Sequence, residues 1–96
     1  MADVRLSPVA VAKLDRMILT HSLPADTYDR VARSLRVLER FPLAGRQLEG
    51  RWHPRRVLLG PWRWMLLVYV FEASDDVVLV LTVQDARAST AATGRG

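Results

Sequence analysis

The sequence predicts an α+β domain in which a short N-terminal strand and an αα-hairpin precede an antiparallel three-strand meander, with both helices on one sheet face. Two observations predict it. Residues 55–83 contain three apolar, β-rich runs separated by the turn signals Gly60-Pro61 and Ser74-Asp75-Asp76, since proline and glycine set turn geometry. Residues 8–40 instead carry apolar side chains at helical spacing. The helical segment therefore precedes the β-rich segment along the chain.

The N-terminal elements have clear start and stop signals. Asp3 to Leu6 is a candidate strand, and Ser7 followed by proline is typical of a helix start, because serine caps the free backbone N–H groups and proline fits the first turn. We expect a first helix from about Pro8 to Thr20 and a second from about Ala25 to Arg40, which Phe41-Pro42 ends. The residues expected to pack both helices on the sheet are Val11, Leu14, Ile18, Val31, Leu35 and Leu38.

The run from Trp62 to Glu72 is expected to be the central strand, because it is apolar at both odd and even positions. A single layer of helices covers only one face of such a strand. The sequence therefore predicts that a partner chain, a second copy or a substrate covers part of the other face. Between the helices and the meander, Leu43 to Gly50 is expected to form a loop with a short strand at Arg46 to Leu48.

Length and composition limit the function classes. A chain of 96 residues forms one domain, here expected to span residues 1–88, and the small polar residues 89–96 predict a flexible tail. No apolar run approaches the roughly 20 residues that span a bilayer, and the N-terminus lacks a signal pattern. We therefore expect a cytoplasmic protein with no membrane partner.

Charge and ligand chemistry narrow the partners. The net charge is +4 and the chain has one lysine among its 14 basic residues, so an anionic partner such as nucleic acid or an acidic protein segment is favoured. The sequence has two separated histidines and no cysteine, so it offers no cluster of metal ligands. It also has no glycine-rich phosphate loop. No cofactor and no metal are expected.

Four short motifs follow one another in a fixed order: Leu43-Ala44-Gly45, Arg56-Val57-Leu58, the strand from Trp62-Arg63 to Tyr69, and Arg87 after the last strand. In this order and spacing the chain resembles the RelE/ParE superfamily of toxins from type II toxin–antitoxin systems, over almost its whole length. The resemblance implies a growth-arresting toxin, of the plasmid-stabilisation type, that a cognate antitoxin neutralises in a hetero-oligomer.

The resemblance implies two alternative actions. RelE-like members cut messenger RNA in the ribosomal A site, whereas ParE-like members inhibit DNA gyrase. A nuclease would use His53, Arg63 and Arg87 as catalytic groups, of which His53 alone titrates near neutral pH, because arginine keeps its proton below about pH 12. The residues expected to bind nucleic acid or another target are Arg51, Trp52, Arg55 and Arg56.

The tyrosine that many RelE-like nucleases carry beyond the last strand has no counterpart here, since Ala88-Ser89-Thr90 follow Arg87. We therefore predict the ParE-like action, with gyrase as a candidate target. A RelE-like, metal-independent endoribonuclease is the first alternative, so the sequence leaves open whether the chain is an enzyme. A non-toxic basic binding module is the second.

Structural roles compete with functional ones at several of these residues. His53 lies between Trp52 and Pro54 in a loop, where a surface position is the ordinary outcome. His21 is expected to pack or cap near the end of the first helix. Arg63 either pairs with a carboxylate or reaches solvent, because an unpaired buried charge is costly. Arg87 follows Asp85 closely enough for a local salt bridge.

Overall fold

The computed structural model describes residues 1–52 and 54–88, with Trp52 described by its backbone alone. The expected flexible tail, residues 89–96, lies outside the described residues. The elements are β1 (Asp3–Leu6), α1 (Pro8–Thr20), α2 (Thr27–Leu35), α3 (Val37–Arg40), β2 (Arg46–Gln47), a 3₁₀ turn (Gly50–Trp52), β3 (Arg56–Leu59), β4 (Met65–Glu72) and β5 (Val77–Asp85).

The described strands form one five-stranded sheet in the order β1-β5-β4-β3-β2. Strands β3, β4 and β5 form an antiparallel meander, which confirms the predicted architecture. The meander is extended at both edges. β2 pairs antiparallel with β3, and the N-terminal strand β1 pairs parallel with β5. No helix in the described part of the chain is both long and apolar enough to span a bilayer.

Ser7 joins the first helix to the sheet. Its Oγ accepts a hydrogen bond from the N–H of Ala10 at 3.0 Å, which confirms the predicted N-cap. The same hydroxyl donates to the carbonyl of Leu81 at 2.8 Å, and the Ser7 N–H donates to the carbonyl of Val80 at 2.9 Å. Leu81 is the extra residue of a β-bulge, because Thr82 pairs with Val68 whereas Val80 pairs with the next residue of β4. One serine therefore satisfies backbone groups of both elements.

The second predicted helix is shorter than expected and is divided. It begins at Thr27 rather than Ala25, because residues 24–27 form a turn in which the Thr27 N–H and hydroxyl both donate to the carbonyl of Pro24. Around Arg36 the bonding changes to i→i−3, from the Arg36 N–H to Arg33 and from the Glu39 N–H to Arg36. This tightening separates α2 from α3 without ending the helical course of the chain.

The helices pack on one sheet face, here called the helix face. Of the residues predicted to make this contact, Leu14, Val31, Leu35 and Leu38 are buried and Ile18 is partly buried against them. Val11 is only half-buried. Two other residues of α1, Ala10 and Met17, are buried together with Leu14.

The opposite sheet face, here called the open face, is covered in part by the chain itself. Leu66 and Val68 of β4 are 2% and 0% exposed, and they cluster with Leu48, Val57 and Ala86. Leu48 follows β2 directly, and its N–H donates to the carbonyl of residue 55 at 2.9 Å. The chain therefore covers these two side chains itself, and cover of the rest of this face by a partner chain, a second copy or a substrate stays a prediction.

The central strand also begins later than predicted. β4 starts at Met65, and Trp62 and Arg63, which were expected in the strand, belong to the turn that connects it to β3. The turn is closed by bonds from the Gly60 N–H to the Met65 carbonyl at 2.9 Å and from the Met65 N–H to the Trp62 carbonyl at 3.0 Å. This places Arg63 in the turn, where it is exposed.

The loop before β2 is held against the helix face by two side chains. The buried Tyr69 hydroxyl accepts a hydrogen bond from the N–H of Gly45 at 2.9 Å. Arg56 donates to the carbonyls of Gly45 and Leu43 at 3.0 and 3.3 Å. A Cβ at position 45 would lie 2.7 Å from both the Tyr69 hydroxyl and the Val57 carbonyl oxygen, so the close approach requires glycine.

We expect Tyr69→Phe to lower the free energy of unfolding by about 1 to 3 kcal/mol, because the buried Gly45 N–H would lose its acceptor. The matched control is Tyr28→Phe, which also removes one hydroxyl. The exposed Tyr28 hydroxyl donates to Asp15, a bond that raises the pKa of Tyr28 to about 12, and its loss should stay within about 0.5 kcal/mol. Urea unfolding of both variants tests this, and equal losses would contradict it.

Candidate functional site

The open face carries a pocket of about 340 Å³ beside the covered part of β4, a size within the usual range of ligand sites. Arg46 and Arg63 stand at its sides, and both are exposed. Its remaining lining is apolar and consists of Val57, Leu59, Leu66 and Ala86. This Arg46–Arg63 pocket combines two cations with an apolar floor.

Strand register explains why these residues meet. Arg46 lies opposite Val57 in the β2–β3 pair, and Leu59 lies opposite Leu66 in the β3–β4 pair. Directly opposed residues share a sheet face, and residues two apart in a strand share it as well. The turn into β4 then adds Arg63 from the side.

The pocket's chemistry is that of anion binding. Its two ionisable groups are guanidiniums, whose planar donors bond carboxylate or phosphate oxygens in pairs. Within residues 1–52 and 54–88, no carboxylate forms an ion pair with Arg46 or Arg63. The described lining therefore offers charge to an incoming anion and offers no group that accepts a proton.

The other predicted binding residues lie in several places. Arg56 is on the helix face, where it bonds the loop carbonyls described above. Arg51 is exposed and Arg55 half-buried, on the segment that leads into β3. The backbone of Trp52 ends the 3₁₀ turn in the same segment. The predicted catalytic residue His53 lies outside the described residues.

The Arg87 side chain forms an ion pair with Asp85. Its Nε and Nη2 donate to the two carboxylate oxygens at 2.9 and 2.8 Å, and its backbone N–H also donates to Oδ1 at 2.9 Å. The predicted local salt bridge is thus confirmed. The guanidinium also lies over the ring of Trp64, 4.9 Å from its centroid.

His21, which lies 64 positions earlier in the chain, contacts the same carboxylate. Its Nε2 lies 3.0 Å from Asp85 Oδ2, and its ring stacks on Trp64 with centroids 4.9 Å apart. Its backbone N–H donates to the carbonyl of Met17 and caps α1. Both roles expected for His21, packing and capping, are confirmed.

The two tryptophans continue this contact into a stack. The rings of Trp62 and Trp64 lie 5.9 Å apart and nearly parallel, and Arg30 of α2 lies over Trp62 at 5.9 Å. The stack links the ends of both helices to the turn before β4 and to the end of β5. These tryptophans therefore pack within the described chain, and Arg30 and His21 contact their rings.

The Arg87 guanidinium holds the pKa of the Asp85 carboxyl well below its usual range. Partial burial opposes this shift, and the Arg87 N–H and His21 support it. A depressed pKa means that the folded state keeps this carboxylate ionised at a pH where the unfolded chain, with a pKa of about 3.9, has bound its proton. The stabilisation is complete above that pH and is lost as pH falls.

We expect the difference in free energy of unfolding between wild type and Asp85→Asn to shrink as the pH falls below about 4, because only the wild type then loses this carboxylate. Urea unfolding of both proteins at a series of pH values measures it. A difference that stays unchanged down to about pH 2 would contradict the assignment.

No protein-family model and no curated protein sequence matches the chain. Solved structures do match the chain. A chain of the RelBE2 toxin–antitoxin complex of Mycobacterium tuberculosis superposes with a TM-score of 0.68 at 22% identity, over 88% of this chain and 90% of that one. A copper-bound mutant toxin of Helicobacter pylori gives 0.63 at 21% identity over 88% and 94%. A chain of the archaeal RelE–RelB complex of Pyrococcus horikoshii gives 0.60 at 20% identity over 91% and 98%. The chain therefore has the fold of the RelE-type toxins.

Proposed function

We propose that this chain is the toxin of a type II toxin–antitoxin module, neutralised by a cognate antitoxin in a hetero-oligomer. The fold supports this, because it is shared with chains from two complexes described as toxin–antitoxin or RelE–RelB assemblies. The observation that carries it is the Arg46–Arg63 pocket, an exposed cationic site on the sheet face that the helices leave open.

Binding to an essential target, the ParE-like action, fits the described pocket better than cleavage. RNA hydrolysis without a metal needs a base for the 2′-hydroxyl and an acid for the leaving oxygen. The two arginines can stabilise negative charge, and the described pocket lining contains no histidine, carboxylate or tyrosine for the proton transfers. Among the described residues, no cluster of three or more histidine or acidic side chains is placed to hold a metal ion. We therefore propose growth arrest by binding, with gyrase as the first target to test.

Inducible expression in a bacterial host tests the toxin role. Wild type should arrest growth, and Arg46→Ala/Arg63→Ala should relieve the arrest because the pocket loses both cations. The matched control is Arg33→Ala/Arg40→Ala, which removes two exposed arginines from α2 and α3 and lowers the net charge equally. We expect this control to arrest growth like wild type.

Two outcomes would contradict the proposal. Folded wild-type protein at high level without any growth defect would exclude a toxin acting on that host. Arrest that both double variants abolish equally would show that net charge matters and that the pocket does not. Circular dichroism of each purified variant confirms that loss of arrest is not loss of folding.

Two in vitro assays separate the targets. We expect purified protein to reduce supercoiling by gyrase and to leave a defined message intact on translating ribosomes. Cuts in the message that disappear in His53→Ala, with gyrase unaffected, would establish the RelE-like nuclease instead. Absence of both effects in a protein that still binds nucleic acid would identify a non-toxic binding module.

A further inference from the structure

Arg63 reaches the Arg46–Arg63 pocket from a turn that lies outside the paired strands. Residues 60–64 connect β3 to β4, and Arg63 is the residue of this turn that lines the pocket. Its side chain is exposed and forms no ion pair with a described residue. The position of Arg63 is therefore set by its neighbours in the turn.

Trp62 and Trp64 flank Arg63 in the chain and turn to the other side of the sheet. Both pack against the core of the helix face, where their rings stack with centroids 5.9 Å apart and an angle of 15° between the planes. His21, which caps α1, stacks on Trp64 at 4.9 Å. Arg30 of α2 lies 5.9 Å from the centroid of Trp62. The residues on both sides of Arg63 are therefore attached to the helices.

Backbone hydrogen bonds carry this constraint to the pocket. The Met65 N–H donates to the carbonyl of Trp62 at 3.0 Å, which closes the turn around Arg63. The carbonyl of Trp64 accepts a hydrogen bond from the N–H of Ala86 at 2.7 Å, and Ala86 also lines the pocket. Arg63 therefore lies between one residue held by its ring and its carbonyl, and another that is bonded to the pocket wall.

We propose that Trp62 is a positioning residue for Arg63. Its stack on Trp64 and its contact with Arg30 hold the turn so that Arg63 stays at the pocket before an anion arrives. An arginine that is already placed loses less conformational entropy on binding than one on a mobile turn. The inference rests on the proposed role of the pocket in anion binding, and it holds whichever target carries the anion.

The test measures binding of a labelled single-stranded DNA oligonucleotide by fluorescence anisotropy at fixed salt. Each residue of this probe carries a phosphate, whose oxygens a guanidinium bonds well. We expect Trp62→Ala to weaken binding about three- to tenfold, the effect of immobilising one flexible side chain. Trp62→Phe, which keeps a ring for the stack, should restore most of the affinity. The control Phe71→Ala removes a partly buried ring from the other end of β4 and should bind like wild type.

A double-mutant cycle shows whether Trp62 acts through Arg63. In the Arg63→Ala background, Trp62→Ala should have little further effect, because no guanidinium is left to place. Losses that add fully in the double variant would overturn the proposal, and so would an unchanged affinity of Trp62→Ala beside a weakened Arg63→Ala. An Arg63→Ala variant that binds like wild type would overturn the anion pocket and this inference with it.

Backbone relaxation measured by NMR tests the positioning without any ligand. The order parameter of the Arg63 N–H should be near the rigid value of about 0.85 in wild type and fall towards about 0.6 in Trp62→Ala. Phe71→Ala should leave it unchanged, and the strands should keep their order in both variants. Arg30→Ala, at a position that is 45% exposed, should lower it in the same direction even where Trp62→Ala does not fold. An Arg63 amide that stays equally rigid in these variants would contradict the proposal.

Discussion

The rest of the structure depends on the burial of β4 on both faces. Its residues from Met65 to Tyr69 are at most 2% exposed, so the chain must supply apolar cover on two sides. The helices supply one side. Leu48, Val57 and Ala86 supply the other, and this second cover is small. Where it stops, the open face becomes a pocket with an apolar floor, which makes the candidate site a direct consequence of incomplete cover.

The covering elements are positioned by backbone groups that need partners. Buried N–H and C=O groups are nearly always paired, and here two non-local side chains pair them. Ser7 bonds the carbonyl at the bulge of β5, and Tyr69 bonds the N–H of Gly45. The first contact fixes the start of α1 on the sheet, and the second fixes the loop before β2. Gly45 directly precedes Arg46, so the second contact also positions one of the two arginines that line the pocket.

Patterns in the sequence predicted the features that depend only on neighbouring residues. Alternation and turn residues predicted the meander, and Ser7-Pro8 predicted the helix start. The bulge at Leu81 changes which residues of β5 face the helices, and it was not predicted because it depends on pairing with β4. In the site, Arg63 was named in advance but Arg46 was not, since its importance arises only when β2 pairs with β3. The contact of His21 with Asp85 joins residues 64 positions apart, and no sequence spacing indicates it.

The arginines show why composition alone does not locate a site. Arg56 bonds loop carbonyls, Arg30 lies over a tryptophan, and Arg87 is neutralised by Asp85. Arg56 and Arg30 have partners that only the tertiary structure brings near, whereas Asp85 is two residues from Arg87 and was indicated by the sequence. Arg46 and Arg63 differ because the described chain places no carboxylate against them, so an external anion meets them without first displacing a partner. The Arg46–Arg63 pocket is therefore where two guanidiniums without an ion pair in the described chain meet on one apolar lining, which is the reason for treating it as the candidate site.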